Sequence, residues 1–574
     1  MNKTFKIALI IAVLLIGIKL SAQDDELYFK AAGTPVNPKV AVSWNKYNTY
    51  SGISDLGNRL EEAYPDLVKI ESAGKSYEGR EMLVFVITNH KNLNPNYKPG
   101  YYIDGNIHSN EIQGAEMAMY TAWYLAEMYD ENDFIHELLN DKVFYILPTI
   151  NPDARENFIH EANTGSSPRS GMVPRDDDRD GLFDEDGFDD LNNDGEISQI
   201  RRKNPDGEYR INPSDTRQMI RVAPGEKGEY EMLGYEGLDN DGDGLVNEDR
   251  QGYYDPNRDW GYNWEPGHVQ RGADKYPFSF PENRAVRDFG MKHRNITGAQ
   301  TYHNTGGMIL RGPSVQGGGS EVYTRADENV LNTIGAVGEK MIPGYSLLTL
   351  WKDLYPVFGG EIDWWYGFHG TYIYSNELWT SYLMFNDEDN RDRYEFDRLL
   401  LFEDAFTPWE EYDHPVYGKV EIGGFKKNYG RLHPGFMLEA DAHRNSAFCI
   451  YNAYQTPKLE VSDIKIKKLE GNLNEVTATI ANLRMMPTHS GQNIKYKIDP
   501  PDYVYIDGGE VVAGMNVINE DMNICDEQKD NPARMEVVNI PGHSRIKVRW
   551  IVKGGNNYTV RVESVKGGRA SADL

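Results

Sequence analysis

The sequence predicts a large α/β domain followed by a small all-β sandwich. Short, almost continuous apolar runs at residues 82–88 (MLVFVIT), 101–107 (YYIDGNI) and 143–147 (VFYIL) read as strands buried on both faces. Between the last two, Ile112, Ala115, Ala118, Ala122 and Leu125 recur at three- and four-residue steps, which predicts a helix from Glu111 to Tyr129. Strand, helix, strand in that order is the α/β pattern. After Pro457 the period changes to two. Val476, Ala478 and Ile480 alternate with Thr477 and Thr479, Ile546, Val548 and Trp550 with Lys547 and Arg549, and Tyr558, Val560 and Val562 repeat the pattern. Gly-Gly, Pro-Pro and Asn-rich turns separate these runs, as in a sandwich.

The chain has 574 residues, enough for two or more domains with sizeable cores. Its first 22 residues read as a secretory signal peptide: Lys3 and Lys6, a nearly all-apolar run from Ile7 to Ile18, then Leu20-Ser21-Ala22 as a cleavage site. The run is short for a membrane span and Lys19 interrupts its far end, so a removable leader is expected and no stable span after cleavage. The expected location is secreted, periplasmic or extracellular. Formal net charge is −29, and −32 without the leader's three lysines, which excludes nucleic acid as a partner. Two cysteines, Cys449 and Cys525, are too few for a disulfide scaffold.

The expected organisation is a leader at 1–22, a catalytic domain at 23–455 and the β-sandwich at 456–574, with a break at Tyr454-Gln455-Thr456-Pro457 that few contacts need cross. Within the catalytic domain, residues 175–255 form an acidic insertion with an internal repeat. Asp176, Asp178 and Asp180 before Gly181 match Asp239, Asp241 and Asp243 before Gly244, and a partial copy starts at Asp190. Carboxylates at positions 1, 3 and 5 with Gly at 6 open a Ca²⁺ loop. Neither full copy has Glu at position 12, so compact calcium loops are expected, with Ca²⁺ as a candidate cofactor.

His108-Ser109-Asn110-Glu111 stands where a predicted strand gives way to the helix, the edge at which open α/β sheets bind ligands. With His303 these residues supply two imidazoles and a carboxylate, a set that holds one Zn²⁺ and leaves a position for water. Glu377 is a further carboxylate available to take that water's proton. His-x-x-Glu alone is weak among 13 histidines in an acid-rich chain.

Seven segments in order make the signal specific: YIDGNIHSNE, ILPTINPDA, IRRK (200–203), YDPNRDW (254–260), TYHNTGG (301–307), LYPVFGGEIDWWY (354–366) and IYSNELW (373–379). Over roughly residues 40–454 the chain resembles the M14 zinc carboxypeptidase family, the carboxypeptidase A-like metallopeptidases. That resemblance implies a mixed sheet with helices on both faces. It implies His108, Glu111 and His303 as zinc ligands and Glu377 as general base. Arg202, or adjacent Arg201, would polarise the scissile carbonyl. Asn257 and Arg258 would grip a terminal carboxylate. Tyr355 would close over the bound terminus, and Asp255 would accept the second ring N–H of His108. Ile362 would lie in the pocket for the departing side chain, favouring apolar or aromatic residues, with Glu361 and Asp363 flanking it. The implied substrate is a peptide or protein with a free C-terminus. Two alternatives accompany this reading: a zinc amidohydrolase acting on cell-wall peptides or small amides, and an inactive peptide-binding relative. Two departures stand out: Ala154 replaces the usual Gly, and Asn110 occupies a place where a basic residue is often found.

Overall fold

The computed structural model describes residues 29–166, 169–176, 179–252, 254–316 and 323–574; the expected leader and Asp178 lie outside them. The centre is an eight-stranded mixed sheet. From edge to edge its strands are Val68–Lys75, Glu81–Ile87, Val143–Leu147, Gly100–Gly105, Ile296–Asn304, Tyr372–Leu378, Met308–Arg311 and Ser346–Thr349. The middle of the sheet is parallel and the flanking pairs include antiparallel ones.

Helices cover both faces. On one, Tyr50–Ala63, Gln113–Met128 and Gly435–Tyr454 bury Leu56, Leu60, Ala118, Ala122, Leu438 and Ala442 against Phe85, Tyr101 and Ile103. On the other, Pro281–Lys292, Arg325–Met341 and Glu361–Gly367 bury Phe289, Leu331, Ile334, Trp364 and Trp365 against Val84, Tyr102 and Tyr145. The helix expected from Glu111 starts at Gln113 instead, because Glu111 is held in the turn by its contacts to the histidines. This helix is buried nearly all round, so its small residues mark a helix wedged between sheet and neighbours.

The acidic insertion is more than a linker. Strands Gln199–Lys203, Tyr209–Asn212, Asp215–Arg221 and Tyr230–Tyr235 join the later hairpin of Phe406–His414 and Gly418–Phe425 in a second, six-stranded sheet.

Residues 459–573 fold as two facing sheets of five and four strands. Val476, Ala478, Ile480, Val548, Trp550, Val560 and Val562 are buried between them, as their alternation predicts. The expectation of few contacts across the boundary is not met. Lys566, 1% exposed, donates to the carbonyl of Ile296 at 2.6 Å, and Thr297 donates back to the carbonyl of Lys566 at 2.7 Å. Arg294 pairs with Asp499 at 2.7 Å, and Gln492 donates to the carbonyl of Gly367 at 2.9 Å. Among the described residues no helix is long and apolar enough to cross a membrane.

Candidate metal centre and active site

Strand Gly100–Gly105 ends beside the start of helix Gln113–Met128. A Cβ on Gly105 would sit 2.7 Å from the backbone of Gly114, so glycine permits the close approach. Asn106 then turns the chain with φ +58°, a left-handed conformation that Asn tolerates. Its amide donates to the carbonyls of His108 at 2.7 Å and Ser109 at 3.2 Å, and Arg155 donates to its Oδ1 at 3.0 Å. Asn106 thus shapes the turn that presents His108 and Glu111.

The parallel pairing of Ile296–Asn304 with Tyr372–Leu378 sets Glu377 directly opposite His303. Oε2 of Glu111 lies 2.9 Å from Nδ1 of His108 and 3.0 Å from Nδ1 of His303, and the two Nδ1 atoms are 3.2 Å apart. Nε2–H of His108 donates to Oδ1 of Asp255 at 2.8 Å, which leaves Nδ1 of the neutral ring with a lone pair. Three buried acceptor atoms that converge this closely call for a cation between them. Two imidazoles and one carboxylate, with a carboxylate behind one ring, fit zinc. Asp255 also caps its own turn, accepting from the N–H of Asn257 at 2.8 Å.

The charges follow the same logic. Burial alone would raise Glu111, but His108 and Arg169 hold its carboxyl well below the usual range. Asp255 is likewise held low against burial by Arg258, His108 and Arg169.

Around this cluster runs a cleft lined by Asn257, Arg258, Tyr355, Ile362, Leu310, Leu350 and Glu377, among others. Oδ1 of Asn257 accepts from the N–H of Glu361 at 2.9 Å. Gly359, at φ +65°, leaves room for the carbonyl of Arg258, which a Cβ would meet at 2.7 Å. Tyr355 follows an irregular turn at Leu350–Leu354 and is 49% exposed at the cleft mouth. Ile362 is buried in the cleft wall. Of its flanking acids, Asp363 turns away to accept from Ser314 N–H at 3.1 Å. Glu361 stays in the wall against Trp365 Nε1 at 3.0 Å, and burial and facing Asp104 push its carboxyl well above the usual range.

The expectation for Arg202 fails. Its strand belongs to the second sheet, where Arg202 pairs with Glu231 at 2.6 Å and Arg201 with Glu421 at 2.6 Å. Arg169 stands at the cluster instead. Its Nη1 is 2.7 Å from Oε1 of Glu111, and its Nη2 is 3.1 Å from Nδ1 of His108. The insertion therefore follows this arginine. The available signal was its place in a Gly/Ser/Pro-rich loop, a short step beyond ILPTINPDA.

In the acidic repeats, the carboxylates of Asp239, Asp241 and Asp243 lie within 4.8 Å of one another, as do those of Asp180, Glu185 and Asp241. Asp176 and Asp180 fold back on their own loop, accepting from Arg179 and Leu182. The two copies dock: Asp186 accepts from the N–H of Asn240 at 3.2 Å and of Asn247 at 2.8 Å.

A mixed sheet carrying a His–Glu–His cluster and a neighbouring glutamate at its strand ends defines a metal-dependent hydrolase centre. A family model described as zinc carboxypeptidase matches residues 53–170 and 189–391, more than half the chain. This chain belongs to the zinc carboxypeptidase family, a family of metallopeptidase hydrolases. A second model, a domain of unknown function, matches residues 458–574. Similar curated proteins include carboxypeptidase D of Drosophila melanogaster, 33% identical over 123 residues (21% of this chain, 9% of that one). Carboxypeptidase B of Astacus astacus is 33% identical over 113 residues (20% and 35%). The chain thus spans well under two thirds of the curated relatives it matches. Among solved structures, thrombin activatable fibrinolysis inhibitor aligns at TM-score 0.42 and 17% identity, covering 73% of this chain and 80% of that one. Carboxypeptidase A from Helicoverpa armigera aligns at 0.39 and 18%, covering 74% and 76%.

Proposed function

We propose that the chain is a secreted metallocarboxypeptidase that hydrolyses the C-terminal peptide bond of a peptide or protein. The observation that carries this is the convergence of His108, Glu111 and His303, with Glu377 in register beside them and Asn257-Arg258 closing the cleft. His108, Glu111 and His303 would hold zinc, which would supply a Lewis acid and bring the acidity of a bound water to near neutrality. Glu377 takes the proton of the attacking water and hands it to the leaving amine. Arg169 donates to the carbonyl oxygen as charge builds on it. Arg258 and Asn257 bind the terminal carboxylate, and Tyr355 closes over it. Leu310, Leu350, Leu354, Val357 and Ile362 line the cleft, which supports an apolar or aromatic departing side chain. Secretion rests on the N-terminal leader pattern alone.

Matched peptides with free and amidated C-termini, ending in Phe or Arg, test this with and without a zinc chelator. Removal of one residue from the free Phe peptide, abolished by chelation and restored by Zn²⁺, is expected. Equal cleavage of the amidated peptide would favour an amidohydrolase, and faster cleavage of the Arg peptide would make Glu361 the specificity group.

The reading extends to calcium in the acidic repeats. Loss of water contact and facing Asp249 push Glu185 up to about 7, and the mirror pair Glu248 with Asp186 behaves alike. A divalent cation relieves such crossed acid pairs.

A further inference from the structure

Arg431 lies between strand Gly418–Phe425 and helix Gly435–Tyr454, beyond the residues that match the family model. Its Nη2 donates to the carbonyl of Asn304 at 2.6 Å, next to the metal ligand His303. The same nitrogen is 3.3 Å from Oε1 of Glu111, the oxygen that Arg169 holds from its own loop. Two guanidinium groups therefore meet at one ligand carboxylate.

We propose that Arg431 is a second substrate-binding arginine, which recognises an acidic side chain on the residue just upstream of the scissile bond. The proposal rests on the metallocarboxypeptidase reading. The departing residue occupies the cleft of Asn257, Arg258, Tyr355 and Ile362, and Arg431 is not among the residues lining it. A cation that touches the metal cluster from outside that cleft faces the acyl side of the substrate. Its side chain is 27% exposed, so a substrate can reach it. Between the two ligands His108 and Glu111, Asn110 is fully buried and its amide points at the carbonyl of Gly165, 3.5 Å away, so it brings no charge to the cluster.

The test uses the zinc-loaded full chain and three N-acetylated tripeptides ending in Phe, with Glu, Gln or Lys before it. Wild type should cleave the Glu peptide about tenfold or more faster than the Lys peptide in kcat/KM, as expected for one charge-assisted hydrogen bond gained against one repulsion. Arg431→Gln should bring that ratio close to one by slowing the Glu peptide most, with zinc retained. Arg431→Lys should restore part of the preference. A wild type indifferent to the penultimate residue overturns the proposal. So does an Arg431→Gln variant that slows all three peptides alike or loses zinc, since that is the mark of a residue that only braces Glu111. Cleavage of none of the three by wild type rejects the metallocarboxypeptidase reading itself, and the proposal with it.

Discussion

At the scale of single side chains the site is governed by where protons and lone pairs can go. Asp255 fixes the proton of His108 on Nε2, so Nδ1 turns a bare lone pair toward Glu111 and His303. Arg169 and Arg202 then make a discriminating pair of substitutions. Arg169→Ala should lower kcat by about 10²–10³, the usual loss for an oxyanion donor. Arg202→Ala should leave kcat unchanged, since it breaks only contacts within the second sheet and its hairpin, to Glu231 and to the carbonyl of Tyr417. The reverse result in steady-state kinetics would move the oxyanion role back to the second sheet. Glu377→Gln should keep zinc bound and reduce turnover by at least roughly 10²-fold; near-normal turnover would assign the base elsewhere. His108, Glu111, His303 and Glu377 could be picked out of the sequence because two stand near strand ends and two in the turn that follows a strand, where apolar runs give way to polar residues. Arg169 could not, because an aperiodic loop gives a side chain no frame to be read against. Arg431 could not either: its segment has no spacing relation to the ligands it touches.

At the scale of elements, the second sheet is what local pattern could not reveal. Its strands Tyr209–Asn212 and Asp215–Arg221 are half-exposed and mix charged, polar and apolar residues, so no period-two apolar signal marks them. Its outer hairpin comes from residues 406–425, long after the insertion ends. Arg201 and Arg202 resembled a catalytic segment while serving as ordinary strand residues. The Asp repeats were legible as loops, and the structure adds that the copies pack against each other. Calcium bound to the native loops alone should stabilise by about 2.7 kcal/mol at a hundredfold excess over Kd. The melting temperature should therefore rise with Ca²⁺ and fall with EGTA in zinc-saturated protein. A temperature unmoved by either would make the repeats solvated linker that holds the second sheet in place.

At the scale of the whole molecule, the sandwich is a buried neighbour of the sheet, and two lysines at the junction tie its stability to pH. Burial pushes Lys566 down to about 7 and Lys142 down to about 7. Lys142 donates to the carbonyl of Thr456 at 3.2 Å, and Lys566 to that of Ile296. Around Lys566, Asp499 is 3.9 Å away and pulls the other way, Arg294 adds to the depression, and His369 is itself held well below its usual range by burial. Unfolded, both lysines titrate near the ordinary value of about 10.4. Between about 7 and about 10.4 the unfolded chain therefore binds more protons than the folded one, and stability rises with pH across that window. Below about 7 the cost of burial is present in full; above the unfolded value it is gone. Lys98, pushed down to about 8 by burial, contributes with the same sign, so the variant must isolate the junction. Lys566→Met should flatten the rise in denaturation midpoint between pH 7 and 9.5. Its absolute stability is set separately, by the carbonyls of Ile296 and Arg294 that lose their donor. An unchanged slope in Lys566→Met would mean that the lysine reaches water at the junction. In that case the sandwich would be a loosely held appendage, separable after Thr456.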